Sequence, residues 1–190
     1  MAEQPTPPDD VTPEQFFEQL MPLGFQAQRD AGGAVPPDFT MQYVLTGTGG
    51  GEWAVSVAGG QLSATKGRHD AVLTFTLSID DWRDAVLGRN GAAISLLLPQ
   101  SRPGRPDNSA RVKQMKGTVA QELAREGTEP FKLEMCFNGG AAPRTVLKMK
   151  LPDFVAMGEG RLNGQEAFMT GRLRIEGDMA FMMQIAALTA

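Results

Sequence analysis

Leu162-Asn163-Gly164-Gln165-Glu166-Ala167-Phe168-Met169-Thr170-Gly171-Arg172-Leu173-Arg174-Ile175-Glu176-Gly177-Asp178 is the stretch on which the reading of this chain turns. It predicts a short helix starting near Gly164, a strand, and the start of a further helix. Gly171 can close the first helix in the left-handed conformation. Arg172, Leu173, Arg174 and Ile175 alternate polar and apolar, as an edge or half-buried strand does. Gly177 permits a sharp turn, and Asp178 is placed to cap the second helix.

That second helix carries Met179, Ala180, Phe181, Met182, Met183, Ile185, Ala186, Ala187 and Leu188, with Gln184 as its one polar interior residue. A helix apolar on nearly all sides is buried all round or faces an apolar ligand. Methionine usage bears on the choice. Of 11 Met residues, all but Met1, Met21, Met41 and Met115 lie at or after Met135. Their unbranched side chains adapt to apolar partners of different shape. Core packing accounts for any one of them. The cluster Met149, Met157, Met179, Met182 and Met183 is what points to a pocket.

Upstream the pattern is strand-like. Phe39, Met41, Tyr43 and Leu45 alternate with Thr40, Gln42 and Val44, Trp53, Val55 and Val57 repeat the pattern, and Gly59-Gly60 turns into Leu62, Ala64 and Lys66. This predicts a three-strand meander. A fourth strand comes next, with Leu73, Phe75 and Leu77 on one face and Val72, Thr74 and Thr76 on the other. Ser78 caps a helix closed by Gly88, with Asp80 and Asp81 in the first turn, where the helix dipole favours them. Ile94 to Leu98 is a short apolar run, and residues 99–108 form a loop. Ser109 begins a helix to about Arg125. Residues 130–137 and 145–151 then read as a hairpin around Asn138-Gly139-Gly140. A helix starts near Asp153, and Asp178 caps the last one. Ahead of all this, residues 1–12 read as a flexible arm. Thr12, Pro13 and Glu14 open a short amphipathic helix that Pro22 and Gly24 end.

The chain echoes itself. Residues 72–77 followed by Asp81-Trp82 recur as residues 146–151 followed by Asp153-Phe154, and Gly88-Arg89 matches Gly160-Arg161. Two readings stand: a duplication, or the common grammar of strand, cap, helix and glycine.

The 162–178 stretch resembles the signature of the sterol carrier protein type 2 family: an apolar helix, a Gly-flanked strand of alternating basic and apolar residues, Gly-Asp, and an apolar helix. Residues 72–88 resemble the last meander strand of that family and the helix after it, and Trp53-Ala54-Val55-Ser56-Val57-Ala58-Gly59-Gly60 its early hairpin. Together these cover most of residues 39–190. The departure is the segment at about 89–145, which reads either as an insertion or as two partial copies fused. The resemblance implies an apolar tunnel between sheet and helices that holds a sterol, fatty acid, acyl-CoA or phospholipid.

Composition and charge narrow the alternatives. The 190 residues carry a net charge of −4, so the basic surface that nucleic acid demands is missing. Cys136 is the one cysteine, which leaves no disulfide framework and fits a cytoplasmic protein. No apolar run approaches the roughly 18 residues of a membrane span, and the Pro-rich acidic start is no signal peptide. The single histidine, His69, lies in a Lys-Gly-Arg-His-Asp turn. With one His and one Cys there is no His-based triad with spare partners and no Cys/His zinc site. Gly47-Thr48-Gly49-Gly50-Gly51 lacks the Lys-Ser/Thr ending of a phosphate loop and joins two strands. Arg102, Arg105, Arg111, Lys113 and Lys116 read as a solvated charged face.

These observations predict an α/β protein of α+β type: a twisted, largely antiparallel sheet with helices on one face, enclosing an apolar cavity. Residues 1–38 form the arm and short helix, and residues 39–190 the binding domain. No catalytic residue, metal or cofactor is expected. The expected lining is Phe75, Trp82, Met149, Phe154, Met157, Phe168, Phe181, Met182 and Met183, for a hydrophobic small molecule. The alternative is a protein–protein interaction or homodimerisation module without a lipid.

Overall fold

Each β-strand of this chain grows from a period-two stretch, and the sheet they build sets every later distance. The computed structural model describes residues 7–33, 36–89 and 108–189. The run Ile94 to Leu98 and most of the 99–108 loop, with Arg102 and Arg105, lie outside the described residues, as do residues 1–6 of the expected arm.

The N-terminal helix starts as its sequence predicts. The Thr12 hydroxyl accepts from the Gln15 backbone N–H, and the Gln15 side chain accepts from the Thr12 N–H, a reciprocal capping box. Its end is different from expectation. The helix runs from α1 (Pro13–Gln15) through a π-helical stretch (Phe16–Leu20) into α2 (Met21–Asp30). Pro22 sits in the first turn of α2 rather than terminating anything. The widened turn before it, in which the Met21 N–H donates to Phe16 O, makes room for a ring that would clash in a regular helix.

Four strands come next: β1 (Phe39–Thr46), β2 (Gly51–Ala58), β3 (Gln61–Lys66) and β4 (Leu73–Ser78). Ser78 caps α3 (Ile79–Val86), accepting from Asp81 N at 3.0 Å. The second half holds α4 (Ser109–Gln114), β5 (Gly117–Ala124), β6 (Phe131–Phe137), β7 (Arg144–Lys150), α5 (Leu151–Gly158), α6 (Gly164–Met169), β8 (Arg174–Gly177) and α7 (Met179–Thr189). The eight strands form one sheet in the order β3-β2-β1-β4-β6-β5-β7-β8. It is largely antiparallel. Among the described residues, only the β1–β4 and β5–β7 ladders are parallel.

Two further expectations are corrected in the second half. The helix expected over residues 109–125 stops at Gln114, and residues 117–124 are β5. Ala, Gln and Glu are good helix formers, which makes this stretch read as helical by local propensity. Its alternation of Thr118, Ala120 and Glu122 with Val119, Gln121 and Leu123 is instead satisfied by strands on both sides. The expected hairpin around Asn138 also fails, because β6 and β7 do not pair with each other. Each pairs with β5, which lies between them. The Asn138 side chain instead donates to Val112 O and Met115 O, tying the end of β6 to α4.

The halves repeat one arrangement. β1 and β2 form a hairpin with β4 parallel on the far side of β1; β5 and β6 form a hairpin with β7 parallel on the far side of β5. In each, the third strand runs straight into a helix, α3 or α5.

The register sorts the sheet into two faces. One presents Met41, Tyr43, Trp53, Val55, Phe75, Leu77, Val119, Leu123, Leu133 and Met149, and packs against helix residues Phe16, Phe17, Met21, Ile79 and Trp82. The other carries Thr40, Thr74, Thr76, Glu122, Glu134, Arg144 and Lys148. Helices therefore lie on one face. Aromatic rings meet at its centre: Phe17 lies 4.8 Å from Tyr43, 5.3 Å from Trp53 and 6.1 Å from Trp82, ring centre to ring centre. Val11, Phe16, Phe17 and Met21 belong to the same core as the sheet, so no gap in packing falls at residue 38.

Candidate ligand-binding site

The apolar face of the sheet is divided. The larger cluster lies beneath α1 to α3, α5 and α6; the smaller, of Met115, Val119, Phe137 and Phe181, lies beneath α7. Leu73, Met135 and Leu147 pack against both clusters and are only half-buried, although they sit on strands inside the sheet. They mark a seam between α7 on one side and α5 and α6 on the other.

Gln121 stands in this seam. It shares a face of β5 with Val119 of the smaller cluster and Leu123 of the larger one, and pairs in register with Leu133 and Leu147. The residue is only 8% exposed, and its Oε1 has no hydrogen-bond partner. Thr145, on the same face and fully buried, is satisfied: its hydroxyl donates to Asp178 O at 2.7 Å. The helix reading of residues 109–125 hid Gln121. Read as a strand, Val119-x-Gln121-x-Leu123 exposes one polar residue on an apolar face.

The expected lining residues fall into four places. Phe75 and Trp82 are fully packed in the aromatic cluster, Trp82 5.6 Å from Phe16. Met149 is buried in the larger cluster, with Phe154 and Met157 of α5 half-buried against it. Phe181 belongs to the smaller cluster, 6.2 Å from Phe137, and Met182 beside it is half-buried. Phe168 and Met183 are at the surface, 45% and 65% exposed. The structure thus does not gather the nine around one space. Leu73, Met135, Leu147 and Gln121, which border the seam, were not among them.

α7 is neither buried all round nor fully covered. Phe181, Ile185 and Leu188 point to the sheet, while Met179 and Met183 face outward, as do Phe168 and Met169 on α6.

An open cleft of about 690 Å³ lies where β5 and β7 end and β8 begins. Its lining is mixed: Met149, Ala124 and Pro130 contribute apolar surface beside Lys148, Lys150, Arg172, Arg174, Glu122 and Asp153. Lys148 lies 2.8 Å from Glu176, and that bond raises the pKa of its ammonium above the ordinary value.

His69 is exposed in its turn, and its backbone N–H donates to Gln42 Oε1. Among the described residues, no three His, Cys, Asp or Glu side chains group as a metal site requires, and no helix is long and apolar enough to cross a membrane.

No curated protein matches the chain. Among solved structures, the solution structure of the sterol carrier protein domain 2 of Helicoverpa armigera is similar at 19% identity, over 55% of this chain and 84% of that one, with a TM-score of 0.37. A double mutant of the sec-alkyl sulfatase PisA1 aligns at 12% identity over 95% of this chain but 16% of that one, with a TM-score of 0.27. Residues 95–190, which hold the whole seam except Leu73, match the SCP-2 sterol transfer family, and the chain belongs to that family.

Proposed function

We propose that this protein binds a hydrophobic ligand in the seam between α7 and the α5–α6 pair, and transfers it without chemical change. The observation that carries the reading is the half-buried row Leu73, Met135 and Leu147, shared by two apolar clusters on strands inside the sheet. Apolar side chains left partly open inside a sheet offer what a lipid chain seeks, about 0.8 kcal/mol for each methylene removed from water. Membership of a sterol transfer family supports a sterol-type cargo. Fatty acid, acyl-CoA and phospholipid are the further classes that the resemblance implies. A seam lined by hydrocarbon and one amide binds and orients, and it presents no nucleophile.

Domain organisation belongs to the same proposal. The repeated hairpin-plus-parallel-strand unit favours two partial copies over an insertion at 89–145, since β5, β6 and the start of β7 lie in the second copy.

A second reading has its own observation. Met179 and Met183 on α7, with Phe168 and Met169 on α6, form apolar surface that a second copy of the chain would cover. One experiment addresses both: native mass spectrometry of freshly purified protein, followed by organic extraction and lipid identification. A stoichiometric lipid adduct on a monomer supports the carrier. A clean dimer that shows no thermal shift with fatty acid, acyl-CoA or sterol overturns it in favour of the interface.

A further inference from the structure

We propose that the open cleft at the end of β7 is an anion site, which holds the phosphate group of a ligand distinct from the hydrophobic cargo. Its cations stand in two rows. Lys148 and Lys150 are two residues apart on β7, so alternation sends both to the same side of the sheet. Arg174 opens β8 and pairs in register with Lys148, and Arg172 precedes it at the same spacing. All four line the cleft. The residues that alternate with them, Leu147, Met149, Leu173 and Ile175, belong to the apolar packing on the other face.

Like charges directly opposite one another on paired strands are destabilising. Here carboxylates answer only half of the cations. Lys148 lies 2.8 Å from Glu176 and 3.8 Å from Glu122, and Arg172 lies 3.6 Å from Asp153. Among the described residues, no carboxylate reaches Lys150 or Arg174, and both are exposed. The Glu176 bond raises the Lys148 pKa, and the Arg174 charge works against it. The lining thus sets four cations against two carboxylates, Glu122 and Asp153, in a chain whose net charge is −4.

A phosphate group fits this pattern. It brings nearly two negative charges and three oxygens that accept strong hydrogen bonds. Arginine meets such oxygens with a planar fork, and lysine with a point charge. A lone carboxylate would answer one cation and leave the other. The cleft is open, so a phosphate in it keeps part of its water and escapes the penalty of a buried charge. A soluble phosphate compound and a phospholipid headgroup offer the same chemistry.

The test uses the full chain at low ionic strength. Calorimetry follows titration with pyrophosphate and with inorganic phosphate. Sedimentation measures binding to phosphatidylcholine vesicles with and without phosphatidic acid. Lys150→Gln combined with Arg174→Gln removes the two unanswered cations. Lys113→Gln combined with Lys116→Gln makes the same change of charge at exposed positions elsewhere. The first pair is expected to weaken phosphate binding at least about tenfold, the effect of losing charge-assisted hydrogen bonds. It should melt no lower than wild type, because like-charge repulsion is relieved. The second pair should weaken binding by less than about twofold, since screening confines the effect of distant charges. Binding of a soluble anion with this pattern supports the site and assigns it a free phosphate compound. Binding confined to vesicles with phosphatidic acid, with the same pattern, supports the site and assigns it a headgroup. Equal loss in both pairs overturns the proposal, because net charge then accounts for the binding. So does binding that survives the first pair, or no binding of any probe. None of these outcomes bears on the cargo, which lipid extraction measures separately.

Discussion

The Arg125 Nη2 lies 2.8 Å from Asp81 Oδ1, and this contact joins the turn between β5 and β6 to the helix that follows β4. The other Asp81 oxygen accepts from Lys132 N at 3.2 Å, and Arg125 also reaches Asp84 Oδ2 at 3.1 Å and Glu129 O at 2.8 Å. The pair links the two halves of the chain with Asp81 only 7% exposed.

Arg125→Met removes that cation and leaves Asp81 buried with one backbone N–H as partner. Loss of one member of a buried pair costs about 3 kcal/mol. A fall of about 6–12 °C in Tm is expected for a chain of this size. Adding Asp81→Asn should recover part of the loss, and a thermal melt of the three proteins measures it.

Phe17 shows whether the N-terminal helix is part of the fold or an appendage. It is fully buried and touches Tyr43, Trp53 and Trp82. Phe17→Ala is expected to destabilise by about 3–5 kcal/mol. Leu23→Ala, at a position 60% exposed on the same helix, should change stability by less than about 0.5 kcal/mol. Urea unfolding of both variants makes the comparison.

Gly117 has φ +140°, and a Cβ there would stand 2.6 Å from Phe181 Cζ and 2.7 Å from Pro143 O. Gly117→Ala must therefore displace the ring that anchors α7. We expect a loss of about 1–3 kcal/mol from strain and overpacking. Hydrogen exchange should quicken selectively along α7; unchanged exchange there would mean that Phe181 is not the anchor.

Tyr43 is the one tyrosine of the chain, and burial pushes its phenol well above the ordinary value of 10.0. The unfolded chain ionises near pH 10 and the native one does not, so this group's contribution is complete below about pH 10 and is lost as the pH rises beyond it. Alkaline titration of phenolate absorbance should therefore show one cooperative step coincident with loss of circular dichroism. A non-cooperative titration near pH 10 would show that water reaches Tyr43 in the folded protein.

Met183→Asp separates the two functional readings, because the side chain is 65% exposed and contributes little to the fold. The carrier reading expects monomers for both proteins by analytical ultracentrifugation, with stability within about 0.5 kcal/mol. A wild-type dimer dissolved by the substitution would point to the interface.

Most of the fold was written locally. The β1–β2–β3 meander, β4 and its Ser78-capped helix, and the Gly171 to Asp178 passage all depend on alternation, caps and turns, which neighbours in the chain decide. Asp178 caps α7 as its sequence predicts, accepting from Phe181 N at 2.7 Å. The 162–178 stretch, together with the order of residues 72–88 and the Trp53 hairpin upstream, suggested the family. The sequence by itself did not decide β5, because Ala120, Gln121 and Glu122 favour a helix locally and only strands on both sides make the extended form better. Nor did it decide that β7 returns beside β5 rather than β6, a choice made by long-range pairing that no local signal encodes. The proposed site rests on those two outcomes. Gln121 is an ordinary polar residue until the register places it between Leu133 and Leu147, where it is buried and no protein group answers its Oε1.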